Sequence, residues 1–212
     1  MKKISILKNE LIFEYAAGTC SLTKSIMAST YLYLNAKESS VNSQFENYLG
    51  EEFNKSKKIK PSYLTPEDCL KDEKIEKIQN KKENLNPILN IIRSMKDLDW
   101  KKIFNGFYES SVKISNKEFI KFIKMDPGAK VPLHSHNGKE YILVLDGKFS
   151  DEYGEYKKGD LQINDSNIKH TPIACKEKGC ICLTLTEKEI IFYGPFAPLL
   201  NIFTLTKSFF KI

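Results

Sequence analysis

An α+β chain of two domains, a helical bundle followed by an antiparallel β-barrel or sandwich, is what this 212-residue sequence predicts. Three observations carry the expectation. Apolar residues recur at helical spacing over residues 1–55, and a lysine-rich stretch then interrupts them. From Trp100 the pattern changes to short β-branched and aromatic runs divided by glycine and proline. The boundaries that follow are 1–55 for the helical domain, 56–97 for a linker with helices of its own, and 98–212 for the β domain.

In the helical part, Leu7, Leu11, Ile12, Tyr15 and Ala16 share one face of a first helix, and Gly18 is placed to end it. Ser21 is the expected N-cap of a second helix to about Leu34, with Leu22, Ile26, Ala28, Ser29 and Leu32 as its apolar or small face. A third helix spans about Ser40 to Phe53, where Val41, Phe45, Tyr48, Leu49 and Phe53 form a stripe. Helices this short are unstable alone, so the stripes need each other or a partner. With Tyr31 and Tyr33 just before the third helix, some apolar area is expected to remain for a partner chain or a second copy in a homodimer. Beyond the charged run Asn54 to Ser62, Thr65, Pro66 and Asp68 open a further helix to about Asn80, and Pro87 to Met95 forms one more amphipathic stretch.

In the β part, the runs Phe119 to Ile123, Tyr141 to Leu145, Cys180 to Leu185 and Ile190 to Tyr193 are separated by Pro127-Gly128, Asp146-Gly147, Gly154, Gly159-Asp160 and Gly179. The 3 histidines of the chain all fall here. His134 and His136 stand at i and i+2, so on an extended strand both rings point to one face. Asn137-Gly138 offers a tight turn, and Glu140 enters on the next strand with a carboxylate. An antiparallel partner strand could return His170 beside the pair. The result is a three-nitrogen, one-oxygen site for one divalent ion, zinc first, with iron, manganese or nickel as alternatives. No catalytic residue is assigned beyond these ligands. Cys180, Cys182 and Thr184 share one face of a later strand, and with Tyr141 beside Glu140 they are candidates for cavity or redox residues. For the two cysteines, small core hydrophobes are the favoured reading.

The spacing Gly128, His134, His136, Glu140, Gly147, followed by Gly159 and His170, resembles a cupin domain over residues 119–196, which implies a jelly-roll-like β-barrel holding a metal. Two further stretches narrow the resemblance. Leu11 to Thr19, with Tyr15-Ala16-Ala17-Gly18-Thr19, resembles the helix end of the ChrR anti-sigma factors. So do Gly147 to Glu152, Gly159-Asp160, Gly179 to Leu183 and Gly194-Pro195 in the β part. The resemblance implies a regulator whose helical domain clamps an extracytoplasmic-function sigma factor, while the cupin domain senses an oxidant or a small ligand in the barrel. It also implies a zinc in the helical domain. The positions that would hold it carry Ile6, Tyr31, Asn35 and Glu38; the first three cannot stand in for the missing imidazoles and thiolate, and Glu38 alone is no zinc site. No N-terminal zinc is therefore expected, and packing alone must hold the helices.

Composition narrows the classes. A net charge of +6 would suit nucleic acid, but the basic residues are lysines apart from Arg93, and bidentate recognition prefers arginine, so no direct nucleic-acid contact is expected. The first residues break into charges before a signal-peptide core forms, and no run is long enough for a membrane span. A cytoplasmic protein is the expectation. Cys20, Cys69, Cys175, Cys180 and Cys182 are odd in number and lack Cys-x-x-Cys spacing, which argues for reduced thiols. A regulator or sensor is favoured over an enzyme. The alternative is a metal-dependent cupin enzyme, a dioxygenase, lyase or isomerase acting on a small molecule.

Overall fold

The computed structural model of the chain describes residues 2–55, 98–115, 118–195 and 197–202. The helices expected over 65–80 and 87–95, and Cys69, lie outside the described residues. Helix α1 (Lys2–Ala16) ends as its sequence asks. Gly18 adopts φ 68°, and the amides of Gly18 and Thr19 donate to the carbonyls of Tyr15 (3.1 Å) and Glu14 (3.0 Å), satisfying groups that the last turn leaves open. Helix α2 (Leu22–Leu34) is capped by Ser21, whose hydroxyl accepts from the Lys24 amide. A short 3-10 turn (Ala36–Glu38) leads into α3 (Ser39–Lys55).

The buried face of α2 overlaps the expected one at Ala28 and Leu32, with Ile26 against the core, but is turned from it at Leu22. Met27, Ala28, Thr30, Tyr31 and Leu32 are buried, whereas Leu22 is exposed. Helical spacing alone permits both faces, and the β-sheet against which α2 lies selects one. Thr30 tolerates burial because its hydroxyl donates to the Ile26 carbonyl at 2.7 Å.

Among the described residues ten strands follow: β1 (Lys101–Phe104), β2 (Phe107–Lys113), β3 (Phe119–Met125), β4 (His134–His136), β5 (Glu140–Asp151), β6 (Gly154–Lys157), β7 (Leu161–Asn164), β8 (Ile173–Ala174), β9 (Cys180–Thr186) and β10 (Ile190–Phe192). The main sheet runs β1-β2-β3-β9-β5-β6, with β7 and β8 also paired to β5, and β10 pairs with β4 apart from it. All the ladders are antiparallel. The sheet does not close, so of the two expected forms it is the jelly-roll sandwich. Asp146-Gly147, expected as a turn between strands, lies inside β5. The register against β9 slips there by one residue, between Val144 and Asp146. Gly147 at φ 70° makes this slip feasible, and a Cβ on it would strike the Gly179 carbonyl oxygen.

The sheet carries a core on each face. On the outer face, Phe122, Leu143, Leu145, Leu161 and Leu183 pack with Leu11, Ile12, Met27 and Tyr31 of the helices, as one cluster. On the inner face, Met125, Ile142, Val144, Phe149, Cys182 and Phe192 form the second. Six consecutive residues of β5, Glu140 to Leu145, are therefore buried, the pattern of a strand covered on both sides. Among the described residues no helix is long and apolar enough to cross a membrane.

Candidate metal centre

The strands bring His134, His136, Glu140 and His170 together, all buried, with one ligand atom of each lying within 4.8 Å of the others. The two histidines of β4 point inward on the same side of Ser135. Glu140 opens β5 after the turn at 137–138, and an antiparallel bridge seats His170 against His134. Ligands about 2.1 Å from a common ion would stand roughly 3 to 4 Å apart, close to what is observed.

The hydrogen bonds behind the rings test the fit. Nδ1 of His134 lies 2.8 Å from the Pro132 carbonyl, and Nδ1 of His170 lies 3.0 Å from Asp151 Oδ2, so each Nδ1 serves as the donor. The two Nε2 atoms stand 3.0 Å apart, so unless a proton bridges them they present lone pairs to each other. A metal ion held by both rings would take the place of that proton. His136 points the same way: both its ring nitrogens are buried without a hydrogen-bond partner, although Nε2 stands 3.1 Å from Glu140 Oε2. Orphaned buried nitrogens of this kind fit a metal ion.

Electrostatics support the arrangement. Burial pushes the His134 ring down to about 4, so it stays neutral and able to ligate. Burial also opposes charge on His170, but hydrogen bonds to Asp151 and Glu140 outweigh it and push that ring up to about 9. For Glu140, burial favours the neutral acid, yet the His136 and His170 rings hold its carboxyl well below the usual carboxylate range. The site thus holds positive charge between two carboxylates.

Asp151 is a functional side chain that spacing alone would miss. In a regular strand, eleven positions from Glu140 would turn it to the opposite face. The one-residue slip at Asp146 reverses the alternation, so Phe149 and Asp151 return to the inner side. There, Asp151 Oδ2 accepts from His170 and, at 2.7 Å, from Gln162 Nε2, a carboxylate–histidine pairing of the type that orients metal ligands. Asn164 donates to Glu140 Oε2 at 3.1 Å. Only the doublet Asp146-Gly147, a common bulge or turn pair, hinted at the slip.

The remaining candidates divide. Cys182 and Thr184 line a cavity of about 300 Å³ that reaches His134 and Glu140. Cys180 sits in the inner core, and the contact with it, together with burial, pushes the Cys182 thiol well up, away from a reactive thiolate. Tyr141, expected beside the cavity, belongs instead to the outer core. Alternation along β5 turns it to the helices, where Lys24 Nζ lies 5.6 Å from its ring centre. Of the positions where the resemblance implied an N-terminal zinc, Tyr31 is buried in the outer core and Asn35 donates to the carbonyls of Tyr31 (3.0 Å) and Gly159 (2.8 Å). These residues latch α2 to the turn before β7.

Comparisons agree with this architecture. Residues 90–188 match the family model described as the ChrR cupin-like domain. The chain is 32% identical over 120 residues to the anti-sigma-E factor ChrR of Cereibacter sphaeroides, a match that spans 57% of this chain and 54% of that protein. The chain therefore spans about half the length of the curated relative it matches. The crystal structure of Rhodobacter sphaeroides SigE in complex with the anti-sigma ChrR is similar with a TM-score of 0.71 and 25% identity, covering 84% of this chain and 96% of that one.

Proposed function

We propose that this chain, whose residues 90–188 match the ChrR cupin-like domain, is a metal-bearing regulator that acts inside the cell on an extracytoplasmic-function sigma factor. Its helices would hold the sigma factor. Its sandwich would bind one divalent ion, zinc before iron, manganese or nickel, and answer to an oxidant or a small ligand. The observation that supports the reading most is the likeness to the SigE and ChrR complex over 84% of the chain, an extent well beyond the sandwich alone. His134, His136, Glu140 and His170 would hold the ion, which would supply an electrophilic centre at the cavity's inner end and tie stability to metal. The chain's own residues do the rest: Pro132 and Asp151 fix the ring tautomers, and the apolar inner core keeps water from the ligands.

The test is capture of sigma factors from the same genome by the tagged full-length chain, with light scattering of the purified protein. A stoichiometric complex is expected. A monomer that recovers no sigma factor overturns the reading, and a homodimer without one would assign the helical surface to self-association.

A further inference from the structure

The cavity beside His134 and Glu140 is small for a ligand pocket and mostly apolar. The rings of Phe104 and Phe107 stack 4.5 Å apart at 9°, and Ile123, Ile142, Phe149 and Phe192 complete the wall. A clip steadies Phe192: its amide donates to Asn201 Oδ1 at 2.8 Å, and Asn201 Nδ2 donates back to its carbonyl.

The ionic groups that reach this space are matched in charge. Glu109 faces Lys121 at 3.5 Å, and Glu187 faces Lys24 at 3.1 Å. Lys188 and Glu189 follow each other at the edge with opposite signs. At the inner end, a divalent ion would be balanced by Glu140 and by the Asp151 carboxylate behind His170. With that balance the inner end carries no excess positive charge to hold an anion. Stripping water from a charged ligand here is unfavourable, with no unmatched counter-charge to offset it. Uncharged hydrogen bonding is available from the Thr186 hydroxyl and from that of Thr184, which donates weakly to the Lys121 carbonyl at 3.5 Å and keeps its oxygen as an acceptor; both lie in the lining on the Glu140 side.

We propose that this cavity binds an uncharged, largely apolar organic molecule carrying one carbonyl or hydroxyl oxygen, its body against the phenylalanine wall and its oxygen towards Thr184 and the metal residues. The proposal deepens the sensor reading and rests on it.

Three probes with one body separate the charge classes: 2-naphthol, 2-naphthoate and 2-naphthylmethylamine, titrated calorimetrically at neutral pH into the full chain, both zinc-loaded and metal-stripped. The alcohol is expected to bind at least about tenfold more tightly than either ion. Glu109→Gln leaves Lys121 without its matched charge, so this variant should gain affinity for naphthoate relative to naphthol. Ile190→Trp, checked for an unchanged circular dichroism spectrum, should lose all three by filling the space. Failure of all three probes, tighter binding of a charged probe, or a Glu109→Gln preference identical to the parent's would each overturn the proposal. Sigma capture is measured without any probe, so it stands or falls separately.

Discussion

Asp151 and His136 make opposite demands on the metal centre, and each can be tested alone. Asp151 touches no ion. It fixes the His170 tautomer and holds the ring's orientation from behind. Asp151→Asn keeps the shape and removes the charge, so zinc affinity should fall about 10- to 100-fold while the protein still folds. A competition titration against a chromophoric chelator measures this, and unchanged affinity would show that the geometry behind His170 is idle. Among the described residues the His136 ring nitrogens meet only Glu140, at 3.1 Å, so the ring serves either as a ligand or as a partner of that carboxylate, and metal binding separates the two. Elemental analysis should find one ion per chain, and His134→Ala with His136→Ala should find none. In that double variant the melting temperature should no longer rise with added zinc, because linkage to the folded state is lost.

Among the elements, α2 and the bulge in β5 decide most. Met27 lies in the outer core and Leu22 on the solvent side of the same helix. Met27→Ala should cost about 2 to 5 kcal/mol in denaturant unfolding, and Leu22→Ala less than about 0.5 kcal/mol. Equal effects would mean that the helix presents a different face to the sheet. Gly147→Ala forces a side chain into the Gly179 carbonyl at a positive φ. It should cost at least about 2 kcal/mol and, by disturbing the slip that turns Asp151 inward, weaken metal binding as well. Helix α3 contributes less: Val41 and Phe45 pack partly on the core, with Phe45 edge-on to Phe13 at 5.4 Å, while Tyr48 and Phe53 stand 57% and 78% exposed. Its stripe was legible as a helix period, but how much of it meets the core was not.

At the scale of the molecule, helices and sandwich share one core and are tied at its edges. Lys24 of α2 reaches both Glu14 of α1 and Glu187 at the cavity's edge, and Lys139 pairs with Glu10 at 2.8 Å. Burial favours neutral Glu187, but Lys24 and the Lys139 amide outweigh it and hold the carboxyl below its usual value of 4.5. A carboxyl lowered on folding contributes stability above its unfolded value, and that contribution fades as the pH falls below it. Because both groups are part-exposed, the gain should stay under about 1 kcal/mol. Lys24→Met should therefore narrow the stability difference between about pH 6 and pH 4, read from urea midpoints, by up to that amount. A slope identical to the parent's would mean that the pair does not join helix to sandwich.

The change from a helical period to short strand runs at Trp100, the Ser21 cap, the Gly18 stop and the i, i+2 histidines before Glu140 were all readable in the sequence. Each is a local rule in which neighbouring residues specify a dihedral or a face. Tertiary structure decided which side of α2 is buried, that Tyr141 serves the helices, and that Asp151 stands behind His170. Those outcomes depend on contacts between distant segments. A single inserted residue in β5 inverts the alternation beyond it, and only the pairing with β9 reveals where that insertion falls.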